Sequence, residues 1–235
     1  MNCIIASTST LYEGEYLAYL KRPVERLFKN ASEILFIPYA RPGGITHEEY
    51  TAHAKNGLSF ICENVVGLHE KINPEDALSE AQAIFVGGGN TFLLVKALHE
   101  KRLMTTLRNT IKKGTPYLGT SAGSNICGKT MQTTNDMPIV FPPSFETMGI
   151  LPFNINAHYM DPNPSLRHNG ETRETRIKEF HVFNETSVVG LREGSWIEVD
   201  DDDILLRGVH SARIFEPGKK PYEITMNCSL KGLTQ

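Results

Sequence analysis

Cysteine is scarce and scattered. Cys3, Cys62, Cys127 and Cys228 form no CxxC pair, a spacing that excludes a zinc knuckle and a disulfide framework and fits a reducing cytosol. Lys and Arg nowhere cluster and the formal net charge is −3, so the electrostatic footprint of nucleic-acid binding is missing. No strong overall field would steer an acidic substrate either, and its recognition would need locally placed arginines. Long apolar runs are absent too. The opening stretch, MNCIIASTSTLYEGEYL, lacks the basic n-region and the length of a signal sequence, and no later run approaches a membrane span. The glycine loop Gly87-Gly88-Gly89-Asn90-Thr91 fits neither G-x-G-x-x-G nor G-x-x-x-x-G-K-[ST], and no H-E-x-x-H or H-x-x-E-H spacing marks a metal centre. There is no internal repeat. What remains is the expectation of a soluble, cytoplasmic chain of 235 residues folding as one domain over positions 1–235.

Within these limits, apolar runs alternate with helical spacing. Cys3 to Ala6, Ile34 to Ile37, Val65-Val66 and Ala83 to Val86 read as buried parallel strands, and Pro116 to Leu118 as a fifth. Between them, Tyr16 to Phe28 reads as a helix, Thr46-His47-Glu48-Glu49 as a capping box, and Asn73-Pro74 as a helix start with Pro at the first helical position. Leu103 to Lys113 runs as helix to Gly114, a C-cap residue. The alternation predicts an α/β fold, a doubly wound and mostly parallel sheet flanked by helices. Downstream of Asn125 the chain is loop-rich. Phe153 to Ala157 then reads as a strand, Glu171 to Phe180 as a charged helix, and four short runs between Val188 and Phe215 as C-terminal β-hairpins.

Gly119-Thr120-Ser121-Ala122-Gly123 fits G-x-S-x-G, a strand-to-helix turn whose small neighbours let the backbone turn sharply and lift a serine hydroxyl out of the sheet. Alone, such a match is equally a Ser/Gly turn opening a helix. The preceding strand supplies the context that the motif needs, and Ala122 can offer its N–H as an oxyanion donor beside Ser121. A second donor is expected from Gly88 or Gly89, in the Gly87-Gly88-Gly89-Asn90-Thr91 loop after the neighbouring strand; the same glycines could instead hold an anion. A serine hydroxyl needs a base. Of eight histidines, His47, His53, His99 and His181 fall in helices or at their starts, whereas His158 emerges at a strand end. The carboxylate that would orient it is first sought at Asp136, with Asp161, Glu171 and Glu193 competing. A metal set of His158, Asp161, His168 and Glu171 is the weaker alternative.

These stretches, together with Thr133-Thr134-Asn135-Asp136-Met137-Pro138, Asn156-Ala157-His158-Tyr159, Gly170-Glu171-Thr172-Arg173 and Gly190-Leu191-Arg192-Glu193-Gly194-Ser195, span nearly the whole chain. They resemble the peptidase E family, the α-aspartyl dipeptidases among serine peptidases. The resemblance implies a fold similar to class I glutamine amidotransferases and hydrolysis of dipeptides with an N-terminal aspartate, without metal or organic cofactor. It implies Ser121 as nucleophile, His158 as base and Asp136 as third member ahead of its rival Glu193. Gly89 and Ala122 are then the oxyanion donors, and Arg173, Gly88 and Asn90 the substrate contacts, with Arg41 and Arg192 as secondary choices for the aspartyl carboxylate. A bidentate guanidinium suits that carboxylate. The expected partner is a small dipeptide, without nucleic acid or membrane; a homodimer has no support in the sequence. Close alternatives are a β-aspartyl, cyanophycinase-like peptidase and a non-catalytic anion-binding protein. An α/β-hydrolase is disfavoured because Asp136 follows Ser121 so closely, and an amidotransferase because Cys127 lies outside the elbow.

Overall fold

Strands buried on both faces need apolar residues at every position, and the first strands have them. A computed structural model describes residues 1–162, 165 and 170–233. Its elements run β1 (Asn2–Ala6), α1 (Lys21–Leu27), β2 (Ile34–Ile37), α2 (His47–Leu58), β3 (Val65–Gly67), α3 (Pro74–Ser79), β4 (Ile84–Val86), α4 (Thr91–Glu100), α5 (Met104–Lys112), β5 (Tyr117–Thr120) and α6 (Ala122–Asn125). Then follow β6 (Asn154–Ala157), α7 (Arg173–Phe183), β7 (Val188–Leu191), β8 (Ser195–Asp200), β9 (Asp203–Gly208), β10 (Ala212–Phe215) and β11 (Tyr222–Ile224).

Seven strands form the main sheet in the order β3-β2-β4-β5-β1-β8-β9. The first five are parallel, and β8 and β9 add an antiparallel hairpin at one edge. Side chains alternate between its faces as the strand period requires. Ile5, Leu35, Ile37, Ile84 and Val86 pack into one apolar cluster, and Ile4, Phe36, Phe85 and Leu118 into the other, against Val24, Tyr50 and Leu58. Each fully buried side chain of this size contributes about 1.5–3 kcal/mol.

The first cluster extends to a second sheet, of order β11-β10-β7-β6. Val188–Leu191 and Ala212–Phe215 therefore pair with each other there rather than joining the main sheet, and β6 runs parallel to β7. The short edge strand β11, exposed or partly exposed along its length, was not among the expected strands. Local signals read earlier hold where capping chemistry dictates them: Thr46 and Glu49 close a reciprocal capping box, Asn73 caps α3, and Gly114 takes φ +110 beyond α5. The Tyr16–Phe28 helix is shorter than expected, a 3-10 turn over Ala18–Leu20 leading into α1. Among the described residues no helix is long and apolar enough to cross a membrane.

Candidate active site

Ser121 sits between β5 and α6 with φ 54 and ψ −110, a conformation that a non-glycine residue keeps only where its surroundings hold it. They do so at each side. The Ser121 N–H donates to the Ala6 carbonyl at 3.1 Å, and its own carbonyl accepts the N–H groups of Ser124 and Asn125, both at 2.9 Å. Tyr117 Oη donates to the Gly123 carbonyl at 2.6 Å and fixes the following turn from inside the core.

His158 follows β6 and also has positive φ, 54°. Its Nε2 lies 2.8 Å from Ser121 Oγ, and its Nδ1 lies 2.6 Å from Glu193 Oε1. An ionised carboxylate only accepts, so Nδ1 carries the proton and Nε2 is the acceptor for the Ser121 hydroxyl. The side chains of His158 and Glu193 keep 36% and 47% of their surface exposed, which leaves the pair open to a ligand.

The expected partnership of His158 with Asp136 is corrected by this geometry. Asp136 Oδ2 accepts the Thr91 N–H at 2.7 Å, the Thr91 hydroxyl, and the Thr134 hydroxyl at 2.9 Å. It is thus occupied at the start of α4, while the acid on Nδ1 is Glu193, in the turn between β7 and β8. Glu193 arrives there because Ala157 pairs with Leu191 in the parallel β6–β7 ladder, so the residues just past both strands emerge together. Asp161 is likewise engaged elsewhere, in a two-pronged pair with Arg192 at 2.9 and 2.8 Å, which holds its carboxyl below the usual range. Glu171 lies 3.9 Å from Arg176.

The glycine loop lies against the elbow. A Cβ on Gly88 would come within 3.0 Å of Ser121 Cβ and 3.5 Å of its Oγ, and one on Gly89, at φ +141, would strike the Ala40 carbonyl at 2.3 Å. The N–H groups of Gly88, Gly89 and Ala122 have no hydrogen-bond partner among the described residues. Asn90, expected at the substrate, has its side chain engaged at the helix start: Oδ1 accepts the Leu93 N–H at 3.1 Å and Nδ2 donates to the Met137 carbonyl at 2.8 Å.

Arg173 opens α7. Among the described residues its Nη1 is buried without a hydrogen-bond partner, and burial lowers the guanidinium pKa against the opposing pull of Glu193 and Tyr159. Tyr159 Oη is also buried and, among the described residues, unpartnered, its pKa pushed up to about 12 chiefly by burial. The other two arginines are committed. Arg192 holds Asp161, Glu223 and Ser211, and Arg41 lies over the Tyr50 ring, 4.9 Å from its centroid. Cys127 is fully buried, with its thiol pKa pushed well up, in no state to serve as a nucleophile.

The sequence reading missed Asn125 and Asn135. Asn125 accepts the Ala157 N–H at 3.3 Å and donates to Thr91 and Thr134, and Asn135 donates to the Ala157 carbonyl at 2.7 Å. Both hold Ala157, the residue before His158, one through its N–H and the other through its carbonyl. The available signal was a polar Asn directly after the small-residue elbow. Among the described residues no three His, Cys, Asp or Glu side chains gather as a metal site. His168, named for that alternative, lies outside the described residues.

A serine on a strand-to-helix elbow, facing an imidazole that is in contact with a carboxylate, is the arrangement of the serine hydrolases, set here on a doubly wound α/β frame. The chain belongs to peptidase family S51, whose sequence profile matches residues 3–207. It is 43% identical over 233 residues to peptidase E of Streptomyces coelicolor, covering 99% of this chain and 95% of that protein. It is 42% identical to a probable alpha-aspartyl dipeptidase of Drosophila melanogaster, covering 100% and 98%. Among solved structures, a putative peptidase E from Listeria monocytogenes aligns with a TM-score of 0.65 at 18% identity, covering 89% of this chain and 98% of that one. A peptidase from an acI-B1 actinobacterium aligns at 0.68 and 16% identity, covering 97% and 96%; at such identities these two speak for the fold.

Proposed function

We propose that the chain hydrolyses dipeptides with an N-terminal aspartate, with Ser121 as nucleophile, His158 as base, Glu193 as the acid that orients the imidazole and Arg173 as receptor for the aspartyl side-chain carboxylate. The observation that carries the substrate assignment is the Nη1 of Arg173, buried and unpartnered among the described residues, an electrostatic neighbour of Glu193. A half-buried cation without a hydrogen-bond partner is costly unless a ligand completes it, and a carboxylate is the complementary group. The names of the relatives, peptidase E and probable alpha-aspartyl dipeptidase, point to the same substrate class.

The reaction follows from the geometry. Nε2 of His158 takes the Ser121 proton as Oγ attacks the aspartyl carbonyl carbon, and Glu193 stabilises the imidazolium through Nδ1–H. The oxyanion is met by the Ala122 N–H and by a glycine-loop N–H, Gly89 being the first choice with Gly88 beside it. The C–N bond then breaks, the imidazolium protonates the leaving amine, and the C-terminal amino acid departs. Water gives a proton to His158 and attacks the ester, and aspartate leaves as Ser121 regains its hydrogen. A cytoplasmic location is part of the proposal, supported by four cysteines in the thiol form, and cell fractionation tests it.

Release of free amino acids from Asp-Leu, its β-aspartyl isomer, Asn-Leu and Ala-Leu, in the presence of EDTA, tests the whole reading. Cleavage of Asp-Leu far ahead of the other three, abolished in Ser121→Ala, is expected. Cleavage of the β-isomer with Asp-Leu left intact would overturn the specificity while keeping the nucleophile, and no cleavage of any peptide would overturn both.

A further inference from the structure

Two consecutive residues at the end of β1 hold the backbones of Ser121 and His158. The Ala6 carbonyl accepts the Ser121 N–H at 3.1 Å and the Ser124 hydroxyl at 2.6 Å. Ser7, fully buried, accepts the His158 N–H on its Oγ at 2.9 Å and donates its own hydroxyl proton to the Leu191 carbonyl at 2.7 Å. Its backbone N–H donates to the Ser195 carbonyl at 3.2 Å. The directions are forced, because a peptide N–H only donates and a peptide carbonyl only accepts. One hydroxyl therefore links the main sheet to His158 and to the strand that leads to Glu193, two residues beyond Leu191.

His158 needs this hold. At φ 54 its backbone lies in the left-handed region, which persists for a non-glycine residue only when neighbours over-determine it. Asn125 and Asn135 fix the preceding Ala157, and Tyr159 N–H donates to the same Leu191 carbonyl at 3.1 Å. The N–H of His158 itself is held by Ser7.

We propose that Ser7 is a positioning residue for the Ser121–His158–Glu193 set: its hydroxyl fixes the peptide of His158 and the approach to Glu193 so that Nε2 stays in register with Ser121 Oγ. This rests on the role given to Ser121 and His158 above. Without the hydroxyl, the His158 N–H loses its acceptor and the buried Leu191 carbonyl loses one donor, and the strained residue relaxes. A misplacement of about 1 Å at a reacting group can cost on the order of a hundredfold in rate.

The test compares wild type, Ser7→Ala and Ser7→Thr by two readouts, the rate of Ser121 labelling by a fluorophosphonate and the steady-state cleavage of Asp-Leu, with circular dichroism as a folding check. Expected in Ser7→Ala is a fall of about 10- to 100-fold in labelling rate and in kcat, with KM for Asp-Leu within about twofold, and recovery of most of the rate in Ser7→Thr. A merely structural role would lower the yield of folded protein without this split. A folded Ser7→Ala that labels at the wild-type rate would overturn the proposal, as would a rise in KM with kcat kept, or a folded Ser7→Thr as slow as Ser7→Ala. Should Ser7→Ala not fold, Ser7→Cys, similar in size with a weak donor, is judged by the same criteria. If wild type itself fails to label above Ser121→Ala, the reading of Ser121 falls, and this inference with it; labelling of wild type together with unimpaired Ser7 variants removes only the inference.

Discussion

His158 Nδ1 and Glu193 Oε1 stand 2.6 Å apart at the ends of two adjacent parallel strands. Replacing Glu193 by Gln keeps the shape but removes the charge that stabilises the imidazolium, and the amide can turn its NH2 towards Nδ1 and favour the wrong tautomer. A loss of about 10³- to 10⁴-fold in kcat on Asp-Leu is expected, the scale seen when a triad carboxylate becomes an amide. Steady-state kinetics on the purified variant check it.

Asp136 has a different task, and its variant has a different signature. Asp136→Ala strands the first N–H of α4 and the Thr91 and Thr134 hydroxyls, a capping loss of about 1 kcal/mol, visible as a lower midpoint in urea. Its kcat is expected to exceed that of Glu193→Gln by at least about tenfold, since no contact to His158 is removed. The opposite ranking in side-by-side assays would return Asp136 to the reacting set.

Removing the Arg173 guanidinium is expected to act on specificity. Arg173→Met is expected to lower kcat/KM on Asp-Leu by about 10- to 150-fold, the worth of a charge-assisted hydrogen bond to a substrate carboxylate. Cleavage of Ala-Leu should change far less, because it offers no such group. A competition assay of the two dipeptides reads the ratio directly, and an unchanged ratio would remove Arg173 from recognition.

Gly88 tests the loop. A methyl there meets Ser121 Cβ at 3.0 Å and Oγ at 3.5 Å, so Gly88→Ala must displace either the elbow or the loop. The expected result is a fall of about a hundredfold or more in turnover, comparable to loss of an oxyanion donor. Fluorophosphonate labelling slows in parallel.

The Asp161–Arg192 pair gives a pH signature in stability. Hydrogen bonding by Arg192 depresses the Asp161 pKa in the folded state, so the contribution is full above the unfolded carboxyl value and fades as pH falls through the folded one. Thermal midpoints of wild type and Asp161→Asn should therefore differ near neutral pH and converge in acid, below the usual carboxylate range. With 56% of the Asp161 side chain exposed, the gap is expected to be small and to shrink further in high salt.

Which features were legible in the chain follows from how local their causes are. Residues Ile4, Leu35, Phe36 and Phe85 had to be apolar because both faces of their strands are covered, and that pattern stood in the sequence as it stands in the fold. Caps at Thr46, Asn73 and Gly114 are likewise settled within a few residues. The elbow at Ser121 and the strand-end place of His158 belonged to the same kind of evidence. The third member did not. Asp136 was favoured by nearness along the chain, whereas Glu193 reaches His158 through the pairing of Ala157 with Leu191, a relation between distant segments that no window of sequence contains. Ser7 was hidden for the same reason, as its two side-chain partners lie at Leu191 and His158.

Ser121 leaves the seven-stranded sheet, while His158 and Glu193 come from the ends of strands in the four-stranded one. A chain that has assembled only one of the two sheets, whether still emerging during synthesis or clipped by another enzyme, carries a serine without a base or a base without a serine. Such a fragment lacks one half of the Ser121–His158–Glu193 set, which comes together only when both sheets have formed.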